Sequence, residues 1–338
     1  MSTFVTPSRL RWLIAVAAAL LIALPPLLPP QYVARVNMVW VAVIAAASLN
    51  LLTGVAGQVS LGHAAFMSIG AYTVVALQRS GVSELLVTLP LGAAVAGVIG
   101  FLVGLPSLRL RGFYLALTTL ALHFTVTFVA LKYQTASGLT AGFILPPPKL
   151  AGIPIKGLTH WCVLLSVIGL AVLAVFHNFE RTKVGRAWVA IRDRDLAASI
   201  IGVNVVRYKL LAFVISSAVA GMAGVLQGYA LGNVSADSYS LAVAISFVAM
   251  IIIGGMGSVV VGSVLGALVV TQLPFFIQSL VDLVQGSNAG MNFGLFDMQN
   301  GVFGLVIVGF LLFEADGLVG IARRLFSKQR GATTPKSA

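Results

Sequence analysis

The sequence predicts an all-α protein, a polytopic bundle of about ten transmembrane helices forming one membrane domain over residues 1–338. Three observations carry this. Hydrophobic residues make up 59% of the chain and charged residues 9%, against about a quarter charged in a soluble domain. Uncharged stretches long enough to cross a bilayer recur from Trp12 to Phe313. The longest, Ser238–Val281, would measure roughly 66 Å as one helix, about twice the hydrocarbon thickness. The cluster Gly254-Gly255-Met256-Gly257-Ser258 in its middle supplies the turn that splits it in two.

The uncharged runs place spans at 12–30, 36–53, 61–78, 85–106, 112–131, 158–178, 210–232, 239–256, 258–280 and 299–315. Arg9 and Arg11 precede the first, and Pro25-Pro26 and Pro29-Pro30 end it where a leader peptidase needs small residues. It is therefore expected to stay as an uncleaved span. The third holds Gly62, His63, Ser68, Gly70 and Tyr72, so it either crosses fully or is re-entrant. Lys132–Gly157 contains Pro146-Pro147-Pro148 and Pro154 and is expected to be extended. Asp282–Gln299, rich in Gly and Asn, is expected to loop or lie at the interface.

With the N-terminus inside, five of the 21 basic residues fall outside: Arg35, Arg79, Lys132, Lys149 and Lys156. The rest, including Arg109, Arg111, the 181–209 loop and the basic tail 319–338, fall inside. That asymmetry favours an even number of crossings, with both termini cytoplasmic. It also accounts for the net charge of +12 without nucleic acid, since basic and aromatic residues do not interleave. The surroundings are membrane lipid.

The lone Cys162 excludes an internal disulfide and a cysteine-rich metal site. The four histidines lie far apart with no acid beside them, and no hydrolase elbow occurs, so neither a metal site nor a catalytic group is expected. No Gly-Lys dipeptide is present, hence no phosphate-binding loop and no cofactor on this chain.

The longest inner loop, Arg181–Lys209, is the most informative polar stretch. Helical spacing over 184–202 puts Val184, Ala187, Trp188, Ile191 and Ala198 on one face, with Arg192, Asp193 and Arg194 elsewhere. Gly202 and Asn204 are suitable stops. Such a helix rests on lipid headgroups or fits a groove on a partner, the Arg/Asp alternation setting register by charge.

At these residues a resemblance becomes specific. Asp195-Leu-Ala-Ala-Ser-Ile-Ile-Gly202 looks like the coupling loop of bacterial ABC-importer permeases. The run from Gly185-Arg186 through Asp195 to Lys209 is similar to branched-chain amino acid permeases of the LivM type. So are Leu49-Asn50-Leu-Leu-Thr53-Gly54-Val-Ala-Gly57-Gln58-Val-Ser60-Leu-Gly62-His63, Arg109-Leu-Arg111-Gly112-Phe-Tyr114 and Ile253-Gly254-Gly255-Met-Gly257-Ser258. Together these cover most of residues 40–270 in family order.

The resemblance implies a permease subunit in a bacterial inner (plasma) membrane. Its partners would be ABC ATPase subunits, a second, LivH-like permease and an external solute-binding protein. ATP and Mg would be used by the ATPase alone. Alternating access would be driven through a coupling helix at 184–202, carried by Gly185, Arg186, Trp188, Ile191, Arg192, Asp195, Ala197, Ala198 and Gly202. Family members often carry acids where Phe113 and Phe124 stand here. The solute is thus open among branched-chain amino acids, urea, short amides and aromatic acids.

Gln58, Ser60 and His63 read two ways, as caps of broken helices or as a weakly hydrogen-bonding pathway lining. The alternative function is an ion-coupled secondary transporter. It would need acids at membrane depth, whereas all nine acidic residues fall in predicted loops or near span ends.

Overall fold

A computed structural model describes residues 29–107, 112–139 and 141–285, with short pieces at 301, 304–305, 308–309 and 317–320. The predicted first span, most of the tenth, Arg109, Arg111, the loop beyond Gln285 and the tail beyond residue 320 lie outside them.

Eight long helices match the eight remaining predicted spans. They are α1 (Pro30–Leu49), α2 (His63–Arg79), α3 (Leu85–Ser107), α4 (Phe113–Ala136), α5 (Leu158–Arg181), α8 (Val205–Leu231), α9 (Leu241–Gly254) and α10 (Val259–Gln285). Two short helices, α6 (Lys183–Asp193) and α7 (Asp195–Ile200), link α5 to α8. Among the described residues, seven segments are long and apolar enough to cross a membrane, the first being α1 together with a π-helical continuation, Asn50–Val55. Helix α2, at 17 residues, is shorter. It starts partway into the bundle, where His63 meets Ser216 near the middle of α8, and ends at Arg79 against Tyr133. The span is one continuous helix, entered through the non-helical residues 56–62.

Several helices outrun the uncharged stretches that marked them. Helix α8 begins at Val205 and includes Arg207 and Lys209, α4 continues past Lys132, and α1 includes Arg35. Charged residues at helix ends keep their heads outside the apolar layer. The Arg35 guanidinium lies over the Phe275 ring at 4.3 Å and the Tyr32 ring at 5.5 Å. The split of the long run is as expected: α9 ends at Gly254, and α10 starts at Val259.

Lipid offers no hydrophobic drive between helices, so the packing relies on small residues that let backbones approach. Along α3, Gly92, Ala96, Gly100 and Gly104 recur every fourth residue and face Val225, Gly221, Ser217 and Leu210 of α8. Gly70 of α2 sits on the Gly221 carbonyl, and Gly224 on the Met67 carbonyl. The outer face of α4 stays open, exposing Phe113, Tyr114, Phe124 and Phe128.

At one end the proline-rich segment is extended, as expected. Strand β1 (Phe143–Ile144) pairs antiparallel with β4 (Asn233–Val234), and β2 (Lys149–Leu150) with β3 (Ile153–Pro154). The opposite end gathers residues 54–62, α6, α7 and the 254–258 turn.

Candidate functional site: the Arg192 node

The π-helical turn that ends α1 is the first element of the site. Within it Asn50 is fully buried. Its Nδ2 donates to the Ser258 carbonyl at 3.1 Å and to Ser263 Oγ at 3.3 Å, and approaches the Gly255 carbonyl at 3.5 Å. Its Oδ1 accepts from the Gly257 amide at 2.9 Å. One side chain thus ties the end of α1 to the glycine turn between α9 and α10. Gly54 packs against this contact, where a methyl group would overlap Asn50 Oδ1 and the Gly257 nitrogen.

Arg192 at the end of α6 completes the node. Its Nη1 donates to the Gly54 carbonyl. Its stem crosses Gly57, where an added Cβ would lie 2.7 Å from Arg192 Cγ. Gly57 also has φ +70, a conformation that residues bearing a side chain rarely adopt. Asp193 is a loose companion, 3.6 Å from Arg192 Nε. Glu180, near the end of α5, accepts from the Val259 amide at 3.4 Å, which places a carboxylate at the N-terminus of α10.

The 184–202 segment is two helices, which corrects the single helix expected. Arg194 between them is extended (φ −156, ψ 105). The expected apolar face also turns the other way. Trp188 and Ile191 are about fully buried, at 1% and 2% exposure, and Ala187 and Ala198 are buried with them. That face packs on the chain's own bundle, and the Trp188 indole N–H donates to the Tyr208 carbonyl at 2.8 Å. The face left open belongs to α7: Leu196, Ile200 and Ile201 are exposed by 69%, 84% and 75%.

Two of the charges expected to set register with a partner, Asp195 and Arg192, bond within the chain, whereas Asp193 and Arg194 are exposed. Asp195 Oδ2 accepts from Lys209 Nζ at 2.6 Å, and Arg192 holds Gly54. Gly185 is buried where α5 turns into α6, its amide donating to the Thr182 hydroxyl at 3.4 Å. Arg186 is exposed and donates to the Arg181 carbonyl at 3.0 Å. Ala197 is exposed. Gly202, with φ +87, ends the segment as expected. Asn204 instead starts α8, its Oδ1 accepting from the Arg207 amide at 3.1 Å.

Gln58, Ser60 and His63 are all buried and bonded to the protein. Gln58 Nε2 donates to the Lys209 carbonyl at 3.0 Å. Ser60 Oγ accepts from the Gly62 amide at 3.3 Å. His63 Nε2 lies 3.1 Å from both Ser48 Oγ and Ser216 Oγ, between α1, α2 and α8. Of the three, Gln58 alone borders the cavity of about 590 Å³ that opens between Gly57, Gly112, Arg192, Asp195 and Lys209. Sequence reasoning passed over Asn50, Glu180 and Lys209 as individuals. Asn50 and Lys209 stood inside quoted motifs, but no spacing rule marks a long-range contact. Among the described residues no group of three metal-binding side chains occurs.

Comparison with known proteins fits this arrangement. Residues 32–311 match the family model described as branched-chain amino acid transport system / permease component. The high-affinity branched-chain amino acid permease LivM of Salmonella typhimurium is 33% identical over 246 residues, 66% of this chain and 58% of that protein. LivM of Escherichia coli K12 is 32% identical over 250 residues, 67% of this chain and 58% of that protein. The D-allose permease AlsC of the same strain is 24% identical over 290 residues, 78% and 85% of the two chains. The chain thus spans 58% of the length of either LivM protein. No solved structure matches. With the family match covering residues 32–311, the chain belongs to the branched-chain amino acid transport permease family.

Proposed function

We propose that the chain is the transmembrane permease subunit of a binding-protein-dependent ABC importer. The solute is a branched-chain amino acid or a related small molecule. The Arg192 end is cytoplasmic, as the basic excess of the 181–209 loop indicates. ATP is hydrolysed by partner subunits, a binding protein delivers solute at the opposite end, and a second permease completes the pathway.

The observation that carries this reading is the convergence on Arg192. The α6–α7 segment is bonded to the end of α1 through Gly54 and to the start of α8 through Trp188–Tyr208 and Asp195–Lys209. Through Asn50 it reaches the α9–α10 turn. A push on α7 therefore reaches four spans at once, which is what coupling a motor to alternating access requires. The exposed Leu196, Ile200 and Ile201 supply the apolar anchors for a groove on the ATPase.

The test is reconstitution of the chain with its partner subunits in vesicles. Solute should enter only with ATP and binding protein. Uptake that persists without the ATPase, driven by an ion gradient, would replace this reading with a secondary transporter.

A further inference from the structure

We infer that His63, held as its neutral Nε2–H tautomer, is a positioning residue for transport: it fixes the start of α2 to α1 and α8, so that α2 follows the movement of the Arg192 end. The inference rests on the importer reading and deepens it, because the bonds made by Arg192, Asn50, Trp188 and Asp195 include none to α2.

The tautomer follows from counting protons. Ser48 Oγ lies 2.7 Å from the Ala45 carbonyl oxygen, and Ser216 Oγ lies 2.7 Å from the Ser48 carbonyl oxygen. A carbonyl can only accept, so the hydrogen in each contact is the serine's, and a hydroxyl has one to give. Both hydroxyls therefore face His63 with lone pairs. His63 Nε2, 3.1 Å from each Oγ, must supply the proton that the two share. Nδ1 is buried without a partner. A proton there would be a buried donor with no acceptor, which proteins rarely leave, and an unused lone pair is the lesser cost. The ring is also held from the side, edge-on to Phe66, which stands edge-on to Phe213 of α8.

Position gives this bond its part in transport. With the residue 1% exposed, a solute does not reach it. His63 is the first residue of α2, directly after the non-helical residues 56–62. That segment is gripped near the Arg192 end, where Gly57 lies under the Arg192 stem and Gln58 Nε2 donates to the Lys209 carbonyl at 3.0 Å. An irregular stretch held at one end alone would bend and absorb a displacement. His63 pins its other end between α1 and α8. Elsewhere α2 meets α8 through small residues, Gly70 on Gly221 and Met67 on Gly224. Such contacts set how near two helices come, whereas a hydrogen bond, being directional, also sets how far one slides along the other. Among the described residues, every side-chain hydrogen bond from α2 to α1 or α8 runs through His63.

The experiment has two arms on the assembled transporter. The first is nitrogen-15 NMR in nanodiscs with labelled histidine in this chain, which has four histidines. His63 should show a protonated Nε2 and a bare Nδ1. Its signal is identified by its loss in His63→Gln or, should that variant not assemble, by elimination from substitutions of His123, His160 and His177. The second arm is solute imported per ATP hydrolysed in vesicles. His63→Gln sets an amide N–H as many bonds from Cβ as Nε2 and should keep the ratio within twofold. His63→Asn, whose amide stops at the place of Nδ1, and His63→Ala should lower it at least fivefold while ATP turnover continues. Thermal melting of each complex is followed alongside, since a merely structural histidine would lower melting and assembly yet leave the ratio of the assembled complexes unchanged. A protonated Nδ1, an Asn variant equal to the Gln variant, or an unchanged ratio in His63→Ala would each overturn the inference. ATP-driven uptake by the unaltered complex tests the importer reading separately, because the tautomer is read without transport.

Discussion

The Arg192 guanidinium donates to the Gly54 carbonyl across 138 residues of sequence. This contact joins a surface segment to the π-helical end of a buried span. The carbonyl is available because the helix stops at Val55, which leaves its last carbonyls without intrahelical partners. The Arg192 side chain stays 41% exposed, so solvent screens part of this charge-assisted bond.

Asn50 should be the most sensitive polar residue at this end. Asn50→Leu keeps the volume but leaves the Gly257 amide and the Ser258 carbonyl without their partner. Each group left unpaired costs about 1–3 kcal/mol. Thermal melting of the purified chain should fall clearly, whereas Asn50→Asp, which keeps the acceptor for Gly257, should lose less.

Gly57 is held by two constraints, its positive φ and the Arg192 stem above it. Gly57→Ala should lower both folded yield and transport. Gly97→Ala is the control: its added methyl meets nothing nearer than Ala218 Cβ, at 3.3 Å, without a positive φ. It should fold and transport near normally in the same assays.

Asp195 and Lys209 form an ion pair whose side chains are 22% and 16% exposed. Removing one partner strands the other charge in a poorly solvated place. Asp195→Ala and Lys209→Ala should each reduce uptake. The exchanged pair, Asp195→Lys with Lys209→Asp, should recover more activity than the two single effects allow, giving a non-zero coupling in a double-mutant cycle.

Much of the fold was legible in the sequence because it follows from solvent. Uncharged runs found every described span, and the Gly254–Ser258 cluster located the α9–α10 turn. The errors came where tertiary contacts decide. The charges of Arg207 and Lys209 predict loop, yet both lie in the first turns of α8. The segment 184–202 was read as one helix because neither Gly nor Pro marks Arg194, where the chain becomes extended between helices anchored at Gly54 and at Lys209. Its apolar stripe was seen correctly as a stripe, but periodicity cannot say whether a stripe meets a partner or its own bundle. Trp188 and Ile191 face the bundle, and the open positions Leu196, Ile200 and Ile201 belonged to no predicted face.

That difference is testable. Leu196→Ser with Ile200→Ser and Ile201→Ser should leave the melting temperature of the isolated chain nearly unchanged, since these side chains are exposed. Co-purification of the ATPase should fall at least tenfold. Trp188→Ala should do the reverse, destabilising the chain itself by about 3–5 kcal/mol.

The claim that α6–α7 works the bundle through Arg192 is tested most directly by counting solute imported per ATP hydrolysed in vesicles, for unaltered protein and Arg192→Ala. The account predicts an ATPase that still assembles and turns over while uptake per ATP falls at least tenfold. An unchanged ratio would contradict it.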